Sequence, residues 1–220
     1  MFRKKNLFKK PSVFGLITLL LAITASFTGT AAGTDIVVQT GVSAHTADAA
    51  TEAYNSLPDN VKNAMTDHGT NYQILSNGDD INGNGGITYL TAIKDANGNY
   101  IWNGESEIYI NGSFNDSEVK KSVIHEAGHW IDAYVGEIKN LPGLSSNCIS
   151  DVSSYTSSFR KIYEEEKDNS GWCSYFTLSA YEYYAESYHL YHTNPELLKS
   201  NQPQTYEYIK NDISLITGIK

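Results

Sequence analysis

The spacing of apolar residues changes once along the chain. Up to Phe114 apolar and polar positions alternate in short runs, and beyond it apolar residues recur about every 3.6 positions. The alternating part predicts strands at Tyr72–Leu75, Ile87–Lys94 and Ile108–Asn111, with Tyr100–Trp102 as a further candidate. The turn-forming stretches NGDDINGNGG and DANGN separate them. A helix is expected to begin near Ser56, with Pro58 in its first turn, and to end before Gly69. The later part predicts helices over about Glu118–Val135, Ser157–Lys167 and Ala180–Tyr191, then a C-terminal pair broken at Pro203. Asn115, three residues before Glu118, is the expected cap of the central helix and Gly136 its expected stop. Strands followed by helices make an α+β domain, here a small antiparallel sheet packed with helices.

The N-terminus fits neither pattern. Arg3, Lys4, Lys5, Lys9 and Lys10 precede an apolar run from Val13 to Phe27, and small residues follow in TGTAAG. The run is short of the roughly 20 residues a membrane span needs, so residues 1–32 read as a secretory signal peptide cleaved near Ala32. Residues 33–50, small, polar and without periodicity, read as a flexible linker, and 51–220 as one catalytic domain. Cleavage would lower the Lys+Arg count from 16 to 11 against an unchanged 25 Asp+Glu, a net charge of −14. So acidic a chain carries no electrostatic footprint for nucleic acid or anionic lipid, which leaves peptides and proteins as partners of a secreted monomer with no stable membrane association. In an oxidising compartment its two cysteines, Cys148 and Cys173, are expected to bridge.

Candidate chemistry lies on the central helix, in SVIHEAGHWIDAY. Val123, Ala127, Trp130 and Tyr134 mark one apolar side, while His125 and His129 fall one turn apart on a neighbouring face. Two imidazoles can there meet one ion, and Glu126, displaced round the helix, can reach a water instead of the metal. The competing reading is an amphipathic helix with two partly exposed histidines. Against it, Gly128 costs a helix interior about 1 kcal/mol relative to alanine and wants a reason, such as the close approach of another element.

A third ligand is missing nearby, because WIDAYVGEIKN contains no histidine. Of the carboxylates further on, Glu164–Glu166 look like a solvated helix face. Glu182 and Glu186 stand four apart among tyrosines, alanine and leucine, where an unpaired charge is costly to bury. Ser179 could equally cap that helix with Glu182 as half of a capping box. His189 and His192 read as helix-surface residues, and Asp132 supports either the site or only its helix. Asp80 to Gly85 copies the first half of a calcium loop, but Thr91 stands where its bidentate glutamate belongs, which favours a plain glycine-rich turn.

VIHEAGHWIDAY followed by SYFTLSAYEYYAESYHLYHTNPELLKSNQPQTYEYI resembles the catalytic domain of the anthrax lethal-factor-like zinc metallopeptidases, closest in size to the secreted clostridial Pro-Pro endopeptidases. The resemblance covers Ser122–His129 and Tyr175–Ile209 well and the strands hardly at all. It implies a zincin-like fold of the gluzincin type and a zinc ion held by His125, His129 and Glu182. Glu126 would be the general base, Tyr175 the hydroxyl at the developing oxyanion, and Glu186 an outer carboxylate behind the ligands. The function expected is that of a secreted zinc endopeptidase; the alternative is an inactive binding domain that keeps the fold. An extended substrate peptide would lie antiparallel to the strand Glu107–Gly112. ANGNYIWNGESEIYING, which precedes and includes that strand, does not match residue by residue the loop that shapes Pro-Pro specificity in the family.

Overall fold

The computed structural model describes residues 27–30, 36–78, 81–169, 171 and 174–217. Of residues 1–32, which the sequence reads as a signal peptide, only Phe27–Thr30 are described, and Asp80 of the calcium-like turn lies outside the described residues as well. Among the described residues the chain runs β1 (Phe27–Thr30), β2 (Ile36–Gln39), α1 (Ala44–Ser56), α2 (Asp59–Asp67), β3 (Asn71–Leu75), β4 (Gly86–Lys94) and β5 (Tyr100–Asn111). Helices follow: α3 (Asp116–Ile138), α4 (Ser157–Glu166), α5 (Ala180–Thr193), α6 (Pro195–Asn201) and α7 (Pro203–Thr217). This is the expected α+β class.

Two expectations need correction. Residues 33–50 are no linker where described, for they carry β2 and the first half of α1. Ser43 caps α1 by accepting from the Thr46 N–H at 3.1 Å, and the helix buries Ala49, Ala50, Ala53 and Tyr54. An apolar face made mostly of alanine leaves little contrast to read in sequence. The sheet, in order β1-β2-β3-β5-β4, is also mixed rather than antiparallel. β2, β3 and β5 run parallel, and only β1–β2 and β4–β5 pair antiparallel. The α1–α2 connection supplies the long crossover that a parallel β2–β3 pair requires.

Sheet and helices share one core. Ile36, Tyr72, Ile74, Ile108 and Ile110 meet Val119, Val123, Ala127, Trp130 and Ile131 of α3, all fully buried. Polar clasps fix the register: the Tyr72 hydroxyl donates to the Val123 carbonyl at 3.0 Å, and the Trp130 indole N–H donates to Thr70 Oγ1 at 2.9 Å. α3 starts at the expected Asn115, which forms a complete capping box with Glu118, worth about 1 kcal/mol. It runs past Gly136 to Ile138, however. Gly136 is there for closeness, since a Cβ on it would overlap the Asp151 carbonyl.

The same reasoning explains Gly128. A Cβ there would lie 2.8 Å from Ala185 Cα and 2.9 Å from its carbonyl oxygen. The missing side chain lets α5 lie directly on α3, which brings residues of two distant sequence segments into one site. At the C-terminal end, Glu166 is buried and accepts from the Gln204 N–H at 3.0 Å, the Thr205 N–H at 2.9 Å and Thr205 Oγ1 at 2.8 Å. One of the three supposedly solvated glutamates therefore holds the start of α7.

Candidate metal centre

His125 and His129 leave α3 on the side facing α5, edge to face with ring centroids 4.9 Å apart. Opposite them Glu182 projects from the first turn of α5. Its Oε2 lies 3.4 Å from His125 Nε2 and 3.6 Å from His129 Nε2, and all three ligand atoms fall within 4.8 Å of one another. Donors on a tetrahedron with zinc-ligand bonds of about 2.1 Å stand roughly 3.4 Å apart, so the spacing suits a metal. Glu182 Oε2 is buried and makes no well-formed hydrogen bond among the described residues, so its charge depends on a positive partner at the cluster, a protonated imidazole or a metal ion. The donor set and the orphaned oxygen both fit a divalent ion. Ser179 does cap α5, accepting from the Glu182 N–H at 3.2 Å, yet it engages only the Glu182 backbone while the carboxylate faces the histidines.

Glu186, one turn further along α5, meets the far side of His125. His125 Nδ1 lies 3.1 Å from Glu186 Oε2, and Lys121 Nζ sits 2.8 Å from the other oxygen. With its proton on Nδ1, His125 presents the Nε2 lone pair to the ligand cluster. Burial alone would lower the His125 pKa, but the carboxylates of Glu182 and Glu186 beside its two ring nitrogens outweigh it and raise it to about 9 in the metal-free chain. Burial likewise works to raise both glutamates, yet the imidazoles on Glu182, and His125, His189 and Lys121 on Glu186, hold them well below the usual carboxylate range.

Glu126 is buried on the adjacent face of α3, turned toward β4. Thr88 Oγ1 donates to its Oε2 at 2.7 Å and approaches its backbone carbonyl at 3.1 Å. Gly86 gives it room, since a Cβ there would come within 2.7 Å of Glu126 Cγ. Neither Thr88 nor Gly86 was signalled by the sequence beyond the glycine doublet that opens the strand.

Tyr175 is 49% exposed, in the turn before α5, with its ring 5.3 Å from and edge-on to Phe176. Phe176 lies 5.4 Å from the His125 ring and beneath Lys121 Nζ at 4.4 Å. His189 and His192 stay out of the ligand cluster, each partly buried on α5. His189 Nδ1 lies 3.6 Å from Glu186 Oε1, and His192 is half-buried against Ser56 Oγ at 3.0 Å. Asp132 supports its helix, accepting from the Ser154 N–H at 2.6 Å and the Ser154 hydroxyl. The expected substrate strand Glu107–Gly112 is covered on both sides by β3 and β4, so the sheet's free edge beside the site is β4. Among the described residues Cys148 is a free, exposed thiol, and its expected bridge partner, Cys173, lies outside them.

The family model described as "Anthrax toxin lethal factor, N- and C-terminal domain" matches residues 87–212. Among solved structures, the Pro-Pro endopeptidase PPEP-2 from Paenibacillus alvei superposes with a TM-score of 0.52 at 18% identity, over 80% of this chain and 96% of that one. No curated protein matches the sequence. At that identity the PPEP-2 likeness concerns the fold.

Proposed function

From the premise that the chain belongs to the anthrax toxin lethal factor N- and C-terminal domain family, whose model spans more than half of it, we propose that it is a zinc-dependent endopeptidase. The observation that carries this reading is the convergence of His125, His129 and the orphaned Glu182 oxygen beside a buried, hydrogen-bonded Glu126. His125, His129 and Glu182 would hold the zinc, which when bound supplies Lewis acidity enough to bring the pKa of a water near 7. Glu126 takes the proton from the attacking water and returns it to the leaving amine. Thr88 keeps that carboxylate aimed while the reaction proceeds. Tyr175 donates its hydroxyl to the oxyanion that develops on the scissile carbonyl. The substrate, an extended peptide, pairs with the free edge of β4, whose main-chain groups bond any sequence.

The basic, apolar, then small-residue order of residues 1–32 supports export, so the enzyme acts outside the cell, on extracellular or surface proteins. β1 falls within the segment export removes, and β2 then becomes the sheet's other edge.

The test is cleavage of a peptide library by purified protein, with metal content measured in parallel. One zinc per chain, cleavage abolished by a chelator, and a Glu126→Gln variant that keeps its zinc but loses about 100- to 10,000-fold in kcat are the expected results. A wild-type protein without zinc whose cleavage ignores the chelator overturns the metal reading, and one that binds zinc but cuts nothing favours the binding-domain alternative.

A further inference from the structure

The two ligand histidines are held by different devices. His125 is oriented at Nδ1 by Glu186 at 3.1 Å, as ligand imidazoles usually are. His129 Nδ1 is buried and has no hydrogen-bond partner among the described residues. If His129 ligates through Nε2, Nδ1 carries a proton that meets no acceptor among the described residues, so no hydrogen bond behind the ring fixes its rotation about the χ2 bond. His125 meets the ring edge to face, and what covers its flat face is Tyr181. The two rings lie nearly parallel, with centroids 4.1 Å apart and planes at 20°. Tyr181 directly precedes Glu182, and both sit in the first turn of α5, whose approach to α3 is fixed by the Gly128–Ala185 contact.

We infer that Tyr181 is the positioning residue of His129: its flat face, rather than a hydrogen bond, fixes the rotation of the second ligand ring toward the metal. The inference rests on the metal-centre reading proposed above. One α5 turn thus supplies a ligand to the ion and a wall to the neighbouring ligand, so a shift of α5 displaces both together. The role belongs to the aromatic plane, and the Tyr181 hydroxyl is dispensable for it. Offset stacking of this kind depends on ring overlap, which phenylalanine retains and leucine does not.

Tyr181→Phe and Tyr181→Leu separate the plane from the hydroxyl and from mere bulk, since leucine keeps apolar volume at the site. The probes are zinc and cobalt(II) alone: zinc affinity by chelator competition and the visible absorption of the cobalt-loaded site, with far-UV circular dichroism confirming the fold. Tyr181→Leu is expected to weaken zinc by roughly tenfold, the lower end of what loss of an outer ligand support costs, and to shift or broaden the cobalt bands. Tyr181→Phe is expected to stay within about twofold of wild type with unchanged bands. Wild-type affinity and bands in Tyr181→Leu overturn the inference, as does a Tyr181→Phe variant as impaired as Tyr181→Leu, which would move the role to the hydroxyl. If the wild type takes up neither metal, the metal centre itself falls, a result distinct from either.

Discussion

The two walls of the site are built differently. The α3–α5 wall is rigid and finished: His125, His129 and Glu186 are buried, Glu182 nearly so, and Gly128 clamps the two helices at backbone distance. The opposite wall, β4 with the turn before α5, is open. β4 is an edge strand with mostly exposed positions, and Tyr175 and Leu178 stand 49% and 71% exposed. Ligands that must meet an ion at bond distance need rotamers fixed in advance, whereas groups that meet a peptide gain their order when the peptide arrives. Variants on the first wall should therefore strike metal binding, and variants on the second should strike turnover with the metal in place.

The largest effect is expected at Glu182. Glu182→Ala removes a ligand and should weaken zinc by much more than the 10–100-fold typical of an outer-shell loss, while Glu186→Ala should stay within that range. Were Glu182 only a helix cap, its loss would cost about 1 kcal/mol of stability and leave zinc in place. Zinc-competition titration of both variants checks this, and near-wild-type affinity in Glu182→Ala would reverse the assignment.

The next effect is one of pH. In the metal-free chain His125 is protonated up to about pH 9, between Glu182 and Glu186, so zinc must expel a proton to bind. Apparent zinc affinity should rise roughly tenfold per pH unit from 6 to 8. Stability of the metal-free chain moves the other way. The folded pKa of about 9 lies above the ordinary 6.5, so the contribution of His125 is complete below pH 6.5 and lost as pH rises through 9. Thermal melts with and without zinc across that range should diverge, and parallel curves would show that His125 is neutral in the metal-free chain.

The same contrast governs what could be read from sequence. The rigid wall was legible because its parts are local and periodic: HEAGH one turn apart, Glu182 and Glu186 one turn apart, and a glycine whose cost demanded a close neighbour. The capping box at Asn115 is likewise a pattern of three residues. The sheet was not. Parallel pairing of β2, β3 and β5 depends on contacts between segments far apart, and the Asn103-Gly104 pair inside β5 looks like a turn although the strand runs through it. Calling Glu107–Gly112 the substrate edge failed for this reason, since strand order is not written in any one strand. Glu166 misled because its partners, the N–H groups of Gln204 and Thr205, lie 38 and 39 residues away.

The smallest expected effect lies where the two walls meet. Thr88, on the open wall, donates to Glu126, on the rigid one, at 2.7 Å. Thr88→Val keeps the shape of the side chain and removes the donor, at a net cost of about 1 kcal/mol for one hydrogen bond. Because Glu126 is not a ligand in this arrangement, that loss should appear in kcat as a fall of roughly fivefold, with zinc affinity unchanged. Thr88→Ser, which restores the hydroxyl, should recover most of the rate. Steady-state kinetics alongside zinc titration distinguishes the alternatives. A Thr88→Val variant that loses zinc together with activity would mean that β4 also holds the metal side in place, and the division between a finished and an open wall would not stand.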